Sequence, residues 1–302
     1  MITIPPYLRP GATIGITCPA GFMARERAQT CIDTLRSWGY QVRTGSTLGG
    51  DSDNYFSGTD RQRLDDLQAM VSDPAIDAIL CGRGGYGISR IIDQIDLSRF
   101  GHDPKWIIGF SDITVLHAHI YANYNIASLH APMAGAFNDG GADGEGVLSL
   151  RRVLAGEKMS YTCAAHPSNR IGEARGALVG GNLSLLAHIV GSVSDIDTEG
   201  KILFLEDVGE YLYNIDRMLR QLKRSGKFDR LAGLVIGGFT DLKDTNRPFG
   251  ATVEAIIGDV AGQYDFPVCY GFPVSHGKEN VALKIGVDYV LTVDAQGASL
   301  TE

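Results

Sequence analysis

The first half of the chain alternates short apolar runs with amphipathic stretches, and few folds accommodate that rhythm. Thr13–Pro19 (TIGITCP), Tyr40–Arg43, Ile76–Cys81 and Trp106–Phe110 predict strands, and Ala127–Met133 adds a further one. Between them, Arg25–Trp38, Arg61–Val71, Ile88–Ile95 and Val115–Tyr124 predict helices. Strands that are apolar at nearly every position are buried on both faces, so the alternation predicts a parallel sheet with helices on each side.

From 157 to 172 the rhythm breaks. This stretch is polar, contains Pro167 and has no sustained period, which predicts an interdomain connection. The expected division is therefore 1–156, a linker at 157–172, and a second α/β domain at 173–302. Within the second domain Lys201–Leu205, Leu234–Phe239 and Val268–Gly271 predict strands. Asn182–Val190, Ile215–Arg224 and Thr252–Tyr264 predict helices. Two β-rich runs within Lys284–Thr301, around Ala295-Gln296-Gly297, predict an antiparallel hairpin. A chain of 302 residues suits two domains.

Composition narrows the function. A net charge of -8 argues against nucleic acid as a partner. No apolar run approaches the ~20 residues that span a bilayer, and the N-terminal segment from Met1 to Tyr7 lacks the basic start and apolar core of a signal peptide. Five scattered cysteines without a CxxC spacing argue for reduced thiols in a cytoplasmic setting, and against both a disulfide framework and a metal site. No cofactor motif is present: the G-x-x-x-x-G-K-[ST] phosphate loop is missing. The 38 glycines gather in pairs such as Gly84-Gly85, Gly180-Gly181 and Gly237-Gly238, where backbone has to turn or approach a neighbour closely.

The chemistry concentrates at strand ends. In WIIGFSDIT a buried strand ends at Phe110 and a helix starts within a few residues, with Ser111 at the junction and Asp112 after it. A serine there sits at the carboxyl edge of a parallel sheet, where helix-start N–H groups face a developing oxyanion. This is the logic of a nucleophile elbow, although GFSDI is not G-x-S-x-G; the same residues also suit an ordinary helix N-cap. CGRGGYG follows another strand, and Gly84 and Gly85 can present backbone N–H groups there, or form a glycine turn with no ligand.

A serine nucleophile needs a base, and the base needs an orienting acid. Of the seven histidines, His117, His119 and His188 fall inside helical segments, and His102 and His166 in featureless polar loops. His276, in the polar loop GFPVSHGKEN after a strand, ranks ahead of His130. For the acid, KILFLEDVGE runs a buried strand into Glu206. A carboxylate there needs a partner: an imidazole, or Arg217 or Arg220 on the following helix.

Taken together, YFSGTDR, CGRGGYG, GFSDIT, LHAPM, LVGGNLSLL, FLEDVGEYLYNIDRML and SHGKENVALKIG, in that order, resemble the LD-carboxypeptidases, including the related microcin C immunity peptidases. The resemblance extends from about Gly11 to Val290. It implies a flavodoxin-like N-terminal α/β domain carrying the nucleophile Ser111, and a smaller mixed α/β domain carrying Glu206 and His276. It further implies an oxyanion hole from backbone N–H groups of Gly84, Gly85 and Asp112. The implied substrate is murein tetrapeptide, cleaved at the L,D amide bond that holds its terminal D-alanine, and the implied assembly is a homodimer. Arg83 and Asn182 are candidates for holding the substrate, or else support structure. Two motifs depart from the family's usual HGPM and ALPIG, at Ala131 and Lys284, and bear on substrate preference. An immunity peptidase cutting an aminoacyl-nucleotide amide bond and a non-catalytic binding module are the alternatives. The first would want an aromatic surface, for which Trp38 and Trp106 are poorly placed.

Overall fold

The computed structural model describes residues 2–138, 140 and 143–302, so Met1, where the N-terminal reading begins, lies outside it. In chain order the strands and helices are β1 (Thr13–Thr17), α1 (Gln29–Ser37), β2 (Gln41–Thr44), α2 (Asp60–Ser72), β3 (Ala78–Cys81), β4 (Trp106–Gly109), α3 (Thr114–Tyr124), β5 (Ser128–His130) and α4 (Glu145–Leu154). There follow β6 (Ser160–Ala164), β7 (Gly172–Asn182), α5 (Leu183–Ile189), β8 (Ile202–Val208), α6 (Leu212–Arg224), β9 (Gly233–Thr240), α7 (Val253–Ala261), β10 (Val268–Tyr270), β11 (Leu283–Ile285), β12 (Asp288–Val293) and β13 (Gly297–Thr301).

The chain divides into two compact units, 1–157 with 281–284, and 158–280 with 285–302. In the first unit the strand order is β2-β1-β3-β4-β5-β11, and the pairings from β2 through β5 are parallel. The order 2-1-3-4-5 is that of flavodoxin-like sheets, whose ligands bind at the carboxyl ends of the strands. Every residue of β1, β3 and β4 is buried. Each large aliphatic side chain so buried stabilises the fold by about 1.5–3 kcal/mol. Helix α2 starts in a capping box: Thr59 caps the Gln62 N–H, and the Gln62 side chain accepts from the Thr59 N–H.

In the second unit the order is β10-β9-β8-β7-β12-β13-β6. Strands β7 to β10 pair in parallel, and β12, β13 and β6 continue the sheet antiparallel. The expected terminal hairpin is β12–β13, its turn closed by the Asp294 carboxylate accepting from the N–H groups of Gln296 and Gly297. Among the described residues, no helix is long and apolar enough to cross a membrane.

Two sequence expectations need correction, and one helix adds to the predicted elements. The stretch 157–172 is no bare linker: it contains β6 and the start of β7, and β6 pairs with β13 over its full length. As an edge strand β6 buries only Tyr161 fully, so backbone pairing rather than an apolar run holds it. Ile88–Ile95 forms two short 3-10 turns, Ile88–Arg90 and Ile92–Gln94, instead of one helix. Helix α4 is the added element, and its buried Val147, Leu150, Val153 and Leu154 follow helical spacing.

Candidate active site

Ser111 stands where β4 gives way to α3, on a 3-10 turn covering Ser111–Ile113. Its φ is +64°, in the left-handed region. Among the described residues the other non-glycine positions of positive φ are Asn125 and Asp241, side chains that tolerate this region. Serine does not, and the conformation costs roughly 1–2 kcal/mol. A sharp, strained strand-to-helix turn is what lifts a nucleophilic hydroxyl off the end of a sheet.

The glycine loop after β3 lies against this turn. A Cβ on Gly84 would sit 2.9 Å from the Ser111 Cβ and 3.2 Å from its Oγ, so only glycine fits beside the serine. Arg63, fully buried on α2, donates from one nitrogen to the carbonyls of Pro19 (2.7 Å) and Gly87 (3.1 Å). It thereby ties the loop after β1 to the end of the glycine loop. Tyr55 and Tyr86 stand exposed beside it, with the Tyr55 hydroxyl over Gly85.

Asp112 completes the connection. Its carboxylate is wholly buried, and Oδ2 accepts the Ile88 N–H at 2.9 Å, joining the serine turn to the loop's exit. Oδ1 has no hydrogen-bond partner among the described residues. Burial pushes the carboxyl up to about 6, against the opposing pull of the Ile88 N–H, the Arg63 charge and the Gly87 backbone. An acid with a raised folded-state pKa stabilises least when ionised. Between its unfolded value of about 3.9 and about 6 the folded state binds more protons, so stability falls as pH rises through that window. Asp112→Asn is therefore expected to gain on the wild type as pH rises from 4 to 7, by about 2–3 kcal/mol in total. Its turnover is expected to drop about tenfold through looser holding of the glycine loop. Urea unfolding at both pH values, alongside steady-state kinetics, checks both; an unchanged stability gap would remove the ionised carboxylate from the account.

In the second unit, Glu206 lies on β8, fully buried, and its Oε2 is 2.6 Å from Nδ1 of His276. The bare surface of β9 makes this approach possible. A Cβ on Gly237 would fall 2.3 Å from the Val274 carbonyl oxygen, so only glycine lets the segment before His276 pass so close. The Gly238 N–H donates to that same carbonyl at 2.8 Å. The arginine alternative fails: Arg217 bonds Asn214, and Arg220 pairs with Asp216 and Asp259. The other Glu206 oxygen is buried without a hydrogen-bond partner among the described residues. With Glu206 ionised, Nδ1 carries the proton and Nε2 is left as the basic nitrogen.

The remaining sequence candidates make contacts of their own within the fold. Asn182 caps α5, accepting from the Leu185 N–H, and donates to Asp207, so its amide is engaged at both ends. Asp207, pushed up to about 6 by burial, also accepts from Ser184. Arg83 is exposed, with one nitrogen on the Phe22 carbonyl. His130 is buried beside Phe110, and His117 bonds the Gly109 carbonyl at 2.9 Å. Lys284 is buried on β11 with its ammonium on the Tyr7 hydroxyl and the Glu157 carbonyl, and Ala131 is buried too. The Asp112 carboxylate and Arg63 escaped the sequence reading; GFSD and the arginine on α2 were visible, but not what they touch. Ser111 belongs to the first unit, and the Glu206–His276 pair to the second.

Serine at the end of a parallel strand, and an imidazole seated on a buried carboxylate, are residue types that hydrolases use. Residues 14–131 match the LD-carboxypeptidase N-terminal domain, and residues 175–291 the LD-carboxypeptidase C-terminal domain. The "Probable murein peptide carboxypeptidase" of Bacillus subtilis (strain 168) is 36% identical over 287 residues, covering 93% of this chain and 89% of its own. The crystal structure of muramoyltetrapeptide carboxypeptidase from Oxalobacter formigenes superposes with a TM-score of 0.87 at 27% identity, over 96% of this chain and 98% of that one. The microcin C7 self-immunity protein MccF of Escherichia coli is 27% identical, covering 97% of this chain and 94% of its own. The chain belongs to the LD-carboxypeptidase family.

Proposed function

We propose that this protein is a serine carboxypeptidase that hydrolyses the L,D amide bond of murein tetrapeptide and releases the terminal D-alanine. The observation that carries the reading is Ser111, held in left-handed backbone at a strand end against a loop in which only glycine fits. Nε2 of His276 takes the Ser111 proton as the hydroxyl attacks the carbonyl, and Glu206 holds the imidazole in that tautomer and stabilises the imidazolium. Backbone N–H groups at Gly84, Gly85 and Asp112 receive the oxyanion, each such donor contributing about 3–4 kcal/mol. His276 then protonates the leaving amine, and water cleaves the acyl-enzyme. Arg83 is the candidate partner for the substrate's terminal carboxylate. The names of the murein-cleaving relatives support the substrate. The scattered cysteines speak for a cytoplasmic setting, and the family resemblance alone for a homodimer.

Similarity to MccF favours a second reading, cleavage of an aminoacyl-nucleotide amide bond. Trp106 is buried with its indole N–H on the Pro6 carbonyl, and Trp38 packs on Phe137 and Arg151, so neither tryptophan offers a base-stacking surface, and the exposed rings beside the glycine loop are those of Tyr55 and Tyr86. Incubation with murein tetrapeptide, pentapeptide and an aminoacyl-sulfamoyl nucleoside, read by mass, separates the readings. Loss of one alanine from the tetrapeptide alone is expected. Cleavage of the nucleoside analogue with the tetrapeptide intact selects the second reading. Turnover of none, with no covalent capture of Ser111 by a phosphonofluoridate, leaves a binding module.

A further inference from the structure

The seven-stranded sheet of the second unit nearly closes on itself: its edge strands, β10 and β6, meet through the chain that follows β6. Arg170 and Val268 exchange both backbone hydrogen bonds, the Tyr270 N–H donates to the Asn169 side chain at 2.8 Å, and His166 stacks on the Tyr270 ring at 5.4 Å. At this seam Cys163 of β6 and Cys269 of β10 stand with their sulfurs 3.3 Å apart. We propose that Cys163 and Cys269 form a peroxide-responsive dithiol that oxidises to a reversible disulfide and staples the seam.

The two thiols are unequal in a way that suits the reaction. Cys163 is half-buried and Cys269 buried. Sharing a proton across the contact, Cys163 is held below the ordinary thiol range by the Cys269 S–H, while Cys269 is pushed up by the same contact and by burial. Cys163 is thus the more accessible sulfur and the one that reaches the thiolate form more readily, which is what governs attack on an oxidant. Its thiolate attacks one oxygen of hydrogen peroxide, the O–O bond breaks, and Cys163 sulfenic acid and hydroxide form. The Cys269 sulfur then attacks the sulfenic sulfur, the S–O bond breaks, and the hydroxyl leaves as water with the Cys269 proton. The hydroxide takes the proton that Cys163 gave up. The sum is two thiols and one peroxide giving one disulfide and two waters. Contact of the sulfurs means that bonding needs a shift of roughly 1 Å. The other three cysteines are buried, and burial is the main cause that pushes the Cys18 thiol up to about 12 and Cys31 and Cys81 further. They are poor competitors for the oxidant.

The test takes the reduced full chain, treats it with equimolar hydrogen peroxide at neutral pH, alkylates in denaturant and maps the peptides. A Cys163–Cys269 cross-linked peptide is expected, with an intact mass lower by two hydrogens, reversal by dithiothreitol, and a Tm several degrees above the reduced protein. Cys163→Ser and, should that variant misfold, Cys163→Ala are each expected to lose the cross-link and the shift. Both thiols still alkylated after peroxide, or Cys163 driven to sulfinic acid without a cross-link, would overturn the proposal. A cross-link that left Tm unchanged would overturn the stapling. None of these readouts depends on peptidase turnover, so they stand or fall apart from the hydrolase reading.

Discussion

Ser111→Ala is expected to abolish release of D-alanine from murein tetrapeptide, with kcat falling about 10⁴–10⁶-fold and the fold intact. The alanine keeps the backbone at φ +64°, so the strain stays and stability should move by less than about 1 kcal/mol. Ser111→Gly sharpens the point, because glycine occupies that region freely. It should lose activity to the same extent while gaining about 1 kcal/mol of stability. A residue whose removal stabilises the protein and silences it is one kept for its chemistry. Product mass spectrometry and chemical unfolding on the three proteins measure both effects. Near-normal turnover in the alanine variant would reject Ser111 as nucleophile, and a glycine variant no more stable than wild type would reject the strain argument.

Much of the architecture was written in local pattern. Trp106–Gly109 and the first four residues of Ile202–Val208 are buried and apolar apart from Gly109, and Ser111 and Glu206 follow within two residues of these runs. The glycine pairs were legible as sites of close approach, and Gly84 and Gly237 are such sites. What stayed hidden depends on contacts between residues far apart in sequence. Glu206 and His276 are 70 residues apart, and sequence left the arginines of α6 equal claimants on that carboxylate. Asn182 looked available for substrate, yet it is engaged by the start of α5 and by Asp207, 25 residues on. Strand β6 has the composition of a linker because its stability comes from pairing with β13, some 140 residues later, and not from an apolar run of its own. Return of Val281–Lys284 to the first unit, carrying a lysine that ends buried beside Tyr7, has no local signal at all.

Glu206→Gln is expected to lower kcat about 10³–10⁴-fold with KM little changed, on the pattern of triads whose acid is replaced by its amide. The substitution conserves volume, so burial and the approach of the 274–276 segment over Gly237 should survive. What changes is the charge. An ionised Glu206 accepts the Nδ1 proton of His276 across 2.6 Å and favours the imidazolium that forms during attack. Glutamine offers either a weaker carbonyl acceptor or an N–H donor, and the latter demands an unprotonated Nδ1 and moves the proton to Nε2. On the proposed mechanism the base is then blocked at the atom that receives the serine proton. The wild type also carries a buried carboxylate with one oxygen unbonded among the described residues, a cost of about 1–3 kcal/mol that the amide lowers by removing the charge. Stability should therefore hold or rise while turnover collapses. Covalent capture of Ser111 by a phosphonofluoridate should slow in parallel with kcat, since it draws on the same proton transfer. If the glutamine variant kept wild-type kcat, the 2.6 Å pair would be a structural contact, and the base would have to be sought elsewhere.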